Sequence, residues 1–383
     1  MKIPPVRISL IAILLLIYSY SFSQELEIIQ INIGQGNSTL ILGPVENGNR
    51  ISVLYDCGQT LASSSNKDGG SIIYDVLKDN GVRSLDYLVI SHYDADHLGG
   101  LIFGTNKSHR SSFSLGPNNV PGDDGDDDGD GQSDWLDAKN EKFDFSEWGL
   151  DDDIKIGKIV DRGDQSPPSS ATFRKFKIFT QAVSERISLV DLSDIEDFQI
   201  DLGGGASIKC LAGNGYVLGK GKVDAAESEN ERSITFLVEY GGFDYLIGGD
   251  LIGKRGTDSG PEDARSEYYV GKYISDNNIN IDVLVANHHG ANNTSEMGFL
   301  NLIKAEYAIV STGENRYGHP HPDHMERLLG SGVKKIYQTN PGDPKWTLSA
   351  FVRNRQVISN DHIVLTTDGN IYSINGVEFT CDN

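Results

Sequence analysis

Cysteine, positive charge and long apolar runs are all scarce in this sequence. Only three cysteines occur in 383 residues, and they lie far apart. An odd and widely spaced set excludes a scaffold built on disulfides and a zinc site made of thiolates. Lysine and arginine total 33 against 55 acidic residues, which gives a formal net charge of −22. Because such a surface repels polyanions at long range, the charge weighs against a general nucleic-acid binder.

The one extended apolar run, residues 8–18, follows a basic start at Lys2 and Arg7. This run is too short for a stable membrane span and is followed by small residues, which is the layout of a cleaved export signal. We therefore predict a signal peptide over residues 1–23, with a retained anchor as the alternative. The mature chain, 24–383, is then expected in the periplasm or the extracellular medium, without a stable membrane span.

Strand patterns dominate the first half of the chain and alternate with helix patterns in the last third. This order favours an α/β fold built as a layered sandwich over a single doubly wound sheet. The predicted strands are 26–32, 38–42, 51–56, 85–91, 208–212, 233–240, 243–247, 281–286, 307–311, 335–338, 362–367 and 371–374. The predicted helices are 71–80, 173–179, 262–276, 295–305 and 322–329.

Residues 104–168 are rich in glycine, aspartate, serine and asparagine and contain few apolar residues. A stretch this long without a regular pattern predicts an acidic insertion or lid in the sandwich. Residues 126–137 have the acidic spacing of an EF-hand-type loop, which predicts calcium binding; the alternative is a solvated acidic linker. The predicted calcium ligands are Asp126, Asp128, Asp130, Asp134 and Asp137.

A cluster of metal-binding residue types, His92, Asp94, Asp96 and His97, comes directly after the predicted strand 85–91. Imidazole and carboxylate together suit zinc, manganese or iron. Ligands at alternate positions of a turn can face two different ions. We therefore predict that His92 and Asp94 serve one metal, while Asp96 and His97 serve another. A polar helix cap with a chance pair of histidines is the structural alternative.

The run His92-Tyr93-Asp94-Ala95-Asp96-His97 resembles the H-x-H-x-D-H metal signature of the metallo-β-lactamase superfamily. Asp94 stands where the second histidine of that signature lies. This H-x-D-x-D-H variant is similar to that of the hydrolase domain of ComEC competence proteins and of pneumococcal phosphorylcholine esterase. Other segments resemble the ComEC-like group in the same order: 32–38 its G-Q-G opening, 55–58 its D-x-G turn, 248–250 its T-G-D, 287–290 its H-H-G-S and 313–320 its closing N-R-Y-G-H-P.

The resemblance implies a metallo-β-lactamase αββα sandwich with an acidic insertion, and it implies roles for single residues. Asp250 would bridge two metals, because a carboxylate has lone pairs for both. One of His288 and His289 would complete the second metal site; we favour His289, which leaves His288 to donate to the oxyanion of the substrate. Asn230 falls near the place of a family histidine ligand. Because an amide oxygen is a poorer ligand, the first metal is expected to bind more weakly or to be manganese.

The closing motif adds candidate substrate contacts. Arg316 and Tyr317 resemble substrate-binding positions, since a guanidinium suits a phosphate and a phenol can hydrogen-bond a leaving oxygen. Two ordinary surface residues on a loop are the alternative reading. His319 precedes a proline and is a candidate acid or supporting residue. The predicted catalytic set is Asp96, His288, Arg316, Tyr317 and His319.

Together these observations predict an exported hydrolase with two divalent metals, zinc being favoured over manganese. The expected substrate is a phosphodiester, DNA among them, attacked by a metal-activated hydroxide. Two other functions stay open. One is a hydrolase of a small ester, a lactone or a phosphorylcholine-type substrate. The other is a calcium-dependent surface-binding protein that has no enzymatic activity and whose metal site is degenerate at Asn230.

Overall fold

The computed structural model describes residues 25–59, 69–101, 154–180, 185–224, 226, 228–253 and 265–381. The predicted signal peptide, 1–23, and the predicted calcium loop, 126–137, lie outside these residues and stay predictions. Within the described ranges, no helix is long and apolar enough to cross a membrane.

Strands and helices are numbered here along the chain. The strands are β1 (Leu26–Gln30), β2 (Thr39–Leu42), β3 (Ser52–Tyr55), β4 (Ser84–Val89), β5 (Lys155–Asp161), β6 (Glu185–Ser188), β7 (Gln199–Gly203), β8 (Ala206–Gly213), β9 (Tyr216–Val217), β10 (Gly221–Lys222), β11 (Thr235–Tyr240), β12 (Phe243–Ile247), β13 (Val283–Val285), β14 (Tyr307–Val310), β15 (Lys335–Gln338), β16 (Gln356–Ile358), β17 (Ile363–Thr367), β18 (Ile371–Ile374) and β19 (Val377–Thr380). The helices are α1 (Gly69–Asp79), α2 (Ala95–Leu98), α3 (Ala171–Phe179), α4 (Leu192–Asp197), α5 (Ser266–Asp276), α6 (Met297–Ile303), α7 (Pro322–Gly330) and α8 (Ala350–Arg353).

These strands form two sheets. The first has the order β19-β18-β17-β1-β2-β3-β4-β5-β6, and the second has the order β10-β9-β8-β11-β12-β13-β14-β15-β16, with β7 paired to β8. Strands β3 to β6 run parallel to one another, as do β12 to β16. The residues that follow neighbouring parallel strands therefore gather at one edge of each sheet.

Apolar residues alternate between two cores along the strands. In β1, Ile28 belongs to the core shared with the second sheet, whereas Ile29 belongs to the core shared with α1 and α3. Tyr55, at the end of β3, packs its ring edge-on against Phe236 of β11, with 5.8 Å between ring centroids. Helices α5, α6 and α7 contribute apolar residues to the core around the second sheet. This helix–sheet–sheet–helix layering confirms the predicted layered sandwich.

One part of the predicted insertion is wrong. Residues 155–161 form β5, which lies between β4 and β6 in the first sheet, so the scaffold resumes well before residue 168. In β5, Gly157 and Lys158 separate Ile156 from Ile159 and Val160, and the acidic residues before the strand hide its short pattern. Other elements were likewise not predicted: strands β6, β7, β9, β10, β16 and β19 and helices α2, α4 and α8. Residues 104–153 of the proposed insertion lie outside the described part of the chain.

Candidate metal centre

The loop from His92 to His97 follows β4 and changes backbone conformation halfway. Asp94 is extended, with φ −75° and ψ 152°, and α2 begins directly after it. His92 and Asp94 therefore precede the helix, whereas Asp96 and His97 lie on it. The turn after β3 packs beneath the loop, where the Cys57 amide donates to the His97 carbonyl at 2.8 Å. This change of conformation separates the four side chains into two pairs.

Asp250 follows β12 in the opposite sheet and lies among four imidazole rings. Its Oδ1 is 3.2 Å from His97 Nε2 and 3.6 Å from His289 Nε2. Its Oδ2 is 3.5 Å from His288 Nε2 and 3.9 Å from His92 Nε2. The carboxylate is buried. Each of its oxygens faces a different pair of histidines.

Two clusters of side chains result. The first cluster consists of His92, Asp94, His288 and Asp250 Oδ2, and the second of Asp96, His97, His289 and Asp250 Oδ1. His92 Nε2 lies 3.6 Å from Asp94 Oδ2, and His289 Nε2 lies 3.4 Å from Asp96 Oδ2. The ligand atoms of Asp96, His97 and His289 all lie within 4.8 Å of one another. The ligand atoms of His92, His97 and Asp250 also lie within 4.8 Å of one another, so the two clusters adjoin at His97 and Asp250.

Several buried atoms of these clusters have no hydrogen-bond partner: His92 Nε2, His97 Nε2, His289 Nε2 and Asp250 Oδ1. The approach of His97 to Asp250 at 3.2 Å is a charge contact that lacks hydrogen-bond geometry. A buried polar atom without a partner is costly, and it needs a ligand or an ion to satisfy it. Imidazole nitrogens and carboxylate oxygens that converge in this way fit a divalent cation such as zinc or manganese.

The opposite ring nitrogens of the histidines are held by protein oxygens. The contacts of Nδ1 are His97 to Asp56 Oδ2 at 2.6 Å, His289 to the Ser311 carbonyl at 3.1 Å and His92 to Ser91 Oγ at 3.0 Å. Because a carbonyl can only accept, His289 Nδ1 carries the hydrogen and the Nε2 lone pair of the neutral ring faces Asp250. Such contacts fix ring orientation and tautomer at metal sites. Asp56 lies in the D-x-G turn, yet sequence reasoning did not assign it to the site.

The charges of the second cluster are strongly coupled. Burial acts to lower the pKa of His97, but the carboxylates around it, chiefly Asp250, raise that pKa well above its ordinary value. The pKa of His289 is raised for the same reason and against the same effect of burial. Burial acts to raise the pKa of Asp250, yet the surrounding histidines hold it well below its ordinary value. Without a metal, the Asp250 carboxylate thus favours the protonated forms of His97 and His289.

Metal binding is accordingly expected to release protons and to weaken as the pH falls. Because the pKa values of His97 and His289 are raised, both rings keep their protons at pH values where a free imidazole, with a pKa of about 6.5, is already neutral. A cation must displace those protons, so the apparent zinc affinity should rise with pH through and above that range. Calorimetry in buffers of different ionisation enthalpy measures both effects. An affinity that does not change with pH, with no proton release, would contradict the assignment.

The turn that carries His288 and His289 follows β13 and has an unusual backbone. Both residues are left-handed, with φ values of 51° and 54°, a conformation that costs free energy for residues other than glycine. Glu267 of α5 holds the turn, since it accepts from Asn287 Nδ2 at 2.7 Å and from the Ser295 amide at 2.6 Å. Burial raises the pKa of Glu267 to about 7. The sequence of α5 contains no pattern that indicates this contact of Glu267, and the contact was not predicted.

Asn230 contacts the first cluster through His288. It lies on a short 3-10 turn before β11, and its amide nitrogen is 3.4 Å from His288 Nδ1. The His288 side chain is 24% exposed, whereas that of His289 is 2% exposed. His288 thus lies at the solvent side of the first cluster, next to the position where the family has a further histidine.

The loop after β14 lies beside His288. Asn315 Oδ1 accepts from three successive backbone amides, those of Tyr317, Gly318 and His319. The His319 ring lies 5.2 Å from the ring of His288 and 6.0 Å from that of Tyr317, between centroids. Burial and the neighbouring histidines lower the pKa of His319 to about 3, so its ring is neutral at neutral pH. Tyr317, which is 72% exposed, therefore approaches the first cluster through His319, and Arg316 is an exposed residue of the same loop.

A family model described as the metallo-beta-lactamase superfamily matches residues 31–107, which include the loop from His92 to His97. The fold is that of the metallo-β-lactamase superfamily. This match confirms the resemblance that the H-x-D-x-D-H pattern predicted. It also implies divalent metal binding by a metal-dependent hydrolase, and the convergent histidines and aspartates fit that implication.

Two curated proteins resemble the chain over part of their length. It is 25% identical over 322 residues to ComE operon protein 3 of Bacillus subtilis strain 168. The matched region covers 81% of this chain and 31% of that protein. It is 36% identical over 109 residues to competence protein ComA of Neisseria gonorrhoeae, which covers 28% of this chain and 14% of that protein. The chain thus spans less than a third of the length of either of these proteins.

A solved structure also resembles the fold. The metallo-β-lactamase fold protein YhfI from Bacillus subtilis has a TM-score of 0.39 and 10% sequence identity. The comparison covers 82% of this chain and 96% of YhfI.

Proposed function

We propose that this metallo-β-lactamase-fold protein is a two-metal phosphodiesterase. The observation that carries the proposal is the placement of Asp250, whose two carboxylate oxygens face two separate clusters of histidines and aspartates. A carboxylate in this position can bind two cations at once. Two-metal sites suit the in-line displacement of a phosphodiester, in which the attacking and the leaving oxygen both need stabilisation.

The ligand sets follow from the two clusters. Asp96, His97 and His289 would hold the second metal together with Asp250 Oδ1. We propose that His92, Asp94 and His288 hold the first metal with Asp250 Oδ2, and that the amide of Asn230 is at most a weak additional ligand. Bound divalent cations would lower the pKa of a coordinated water to near neutrality and would stabilise negative charge that develops on the substrate.

The loop after β14 would hold the substrate. The Arg316 guanidinium can bind a phosphate oxygen in a forked geometry, and the Tyr317 hydroxyl can donate to the leaving oxygen. His319 is neutral at neutral pH, so it can donate a hydrogen bond from one ring nitrogen without adding charge. Because Asn315 fixes three amides of this loop, these groups need little reorganisation when a substrate binds.

Zinc is the proposed native metal, with manganese as the alternative. Asn230→His would supply the imidazole that the family has near this position, and it is expected to strengthen the first zinc site by about tenfold or more. Competitive titration with a chromogenic chelator measures both zinc affinities separately. Asn230→Gln is the matched control, because it changes the side chain without adding an imidazole. A first-site affinity that is equal in both variants would show that residue 230 does not face that metal.

A small ester, a lactone or a phosphorylcholine-type substrate is the second candidate, and the net charge of −22 favours it over a long polyanion. Single-stranded DNA should compete with a small diester, in a salt-dependent way, only if the natural substrate is a nucleic acid.

We further propose export to the periplasm or the medium. Sequencing the amino terminus of the protein recovered from those fractions tests this, since cleavage should leave residue 24 first.

The test of the proposed activity is hydrolysis of bis-p-nitrophenyl phosphate by the purified chain, first stripped of metal and then refilled with zinc or manganese. Activity that returns with metal would support the phosphodiesterase. No turnover with two metals tightly bound would favour the ester and lactone substrates instead. No turnover and no bound metal would favour the surface-binding protein without enzymatic activity.

A further inference from the structure

A buried ion pair packs against the loop that carries His92 and Asp94. Arg162, the residue after β5, is fully buried, which is rare for arginine. Its guanidinium makes a two-pronged contact with Glu229: Nε donates to Oε1 at 2.7 Å and Nη2 donates to Oε2 at 2.6 Å. The remaining nitrogen, Nη1, donates to the Gln165 carbonyl at 3.1 Å. Each of the three guanidinium nitrogens thus has an acceptor.

This ion pair contacts the metal loop at Tyr93, the residue between His92 and Asp94. The Tyr93 amide donates to Glu229 Oε1 at 2.9 Å, and the Arg162 guanidinium lies over the Tyr93 ring, 4.4 Å from its centroid. A charge-assisted hydrogen bond to the backbone and a cation–π contact to the ring hold one residue from two directions. Arg162 and Glu229 therefore help to fix the position of the backbone that carries His92 and Asp94.

The same pair contacts the first cluster a second time through chain connectivity. Glu229 directly precedes Asn230, whose amide lies 3.4 Å from His288 Nδ1. The second cluster is held by other groups: His97 by Asp56, and His289 by the Ser311 carbonyl. The ion pair thus contacts the backbone of the first cluster directly, whereas these other groups hold His97 and His289.

We infer that Arg162 and Glu229 are positioning residues for the first metal site, and that occupancy of this site depends on them while occupancy of the second does not. The inference rests on the proposed first cluster. It assigns a function to the residue that follows β5, in a segment that the sequence analysis attributed to an insertion. Neither residue touches a metal-binding atom, so both act only through the loop and through Asn230.

Glu229→Ala removes both the ion pair and the acceptor for the Tyr93 amide. The first-site affinity for cobalt or zinc is expected to fall by ~10–100-fold, the range for groups that orient metal ligands, while the second-site affinity stays unchanged. The double variant R162M/E229Q leaves no buried charge alone and keeps a neutral acceptor for Tyr93, so it should fold. It removes the cation–π contact and the charge that strengthens the hydrogen bond, so it should show a smaller loss that is again confined to the first site. Absorption spectra of the cobalt-loaded protein report on each site separately.

Arg50→Met is the control. Arg50 also forms an ion pair, with Glu27 at 3.2 Å, but it precedes β3, whereas Asp56 at the site follows that strand. This variant should keep both metal affinities. If a folded Glu229→Ala or R162M/E229Q protein binds both metals as the wild type does, or loses both equally, the inference is overturned. If the wild-type protein itself binds no metal, the proposed function fails first, and with it the site on which the inference rests.

Discussion

Replacing Asp250 with asparagine is expected to remove both metals and the hydrolytic activity while leaving the chain folded. The carboxylate is the group that both clusters share, with one oxygen facing His97 and His289 and the other facing His92 and His288. An amide retains the shape but has one oxygen and no charge. The affinity of each site should fall by at least about a hundredfold, more than the loss caused by removing a group that only orients a ligand. Metal content after dialysis and the rate of diester hydrolysis measure the two effects.

The matched control for this variant lies at the other end of the same strand. Asp244 of β12 is also partly buried, and its pKa is raised to about 7 by burial and then by Glu239 and Asp282. Asp244→Asn should therefore keep both metals and all activity, because it removes a charge that burial already disfavours. An Asp250→Asn protein that retains two tightly bound ions would refute the bridging role. Thermal unfolding of both variants in a chelator separates a loss of metal from a loss of fold.

The part of the site that was predictable from sequence is the part whose residues are adjacent in the chain. The loop 92–97 places several ligand types directly after an apolar strand, and each of the segments 248–250 and 287–290 also follows a strand. In parallel strands, chain position after a strand is enough to place a side chain at the edge of the sheet. The strand patterns, the sandwich and the metal-binding residue types could therefore all be derived before the structure was known.

Contacts between residues distant in the chain could not be predicted. Glu229 accepts a hydrogen bond from the amide of Tyr93, a residue 136 positions earlier. Glu267 of α5 accepts a hydrogen bond from Asn287, which follows β13. No periodicity encodes such pairs, because they depend on how separately formed elements pack together. The same limit explains why sequence left open whether His288 or His289 is a ligand. Their left-handed backbone turns the two rings to different oxygens of Asp250, and a pattern of adjacent histidines does not reveal that conformation.

The close packing of the G-Q-G turn against the metal loop leads to the second prediction, made for Gly36→Ala. Gly36 has a φ of +117°, and a Cβ atom there would lie 2.5 Å from the Asp96 carbonyl oxygen and 3.2 Å from Gly58 Cα. Both obstacles are backbone atoms, so the loop that carries Asp96 and His97 must move. The same substitution at Gly48 is the control, because it has a φ of +83° and open space around it.

Gly48→Ala is expected to lower the free energy of unfolding by about 1–2 kcal/mol, the cost of a left-handed alanine. Gly36→Ala should lower it by a further ~1–3 kcal/mol, since it adds a backbone clash to that cost. Urea unfolding in a chelator measures both values. Only Gly36→Ala should also weaken the second metal site, because Asp96 belongs to that cluster and its carbonyl is the atom displaced. Equal losses of stability in the two variants, with unchanged metal affinity, would mean that the turn does not support the metal loop.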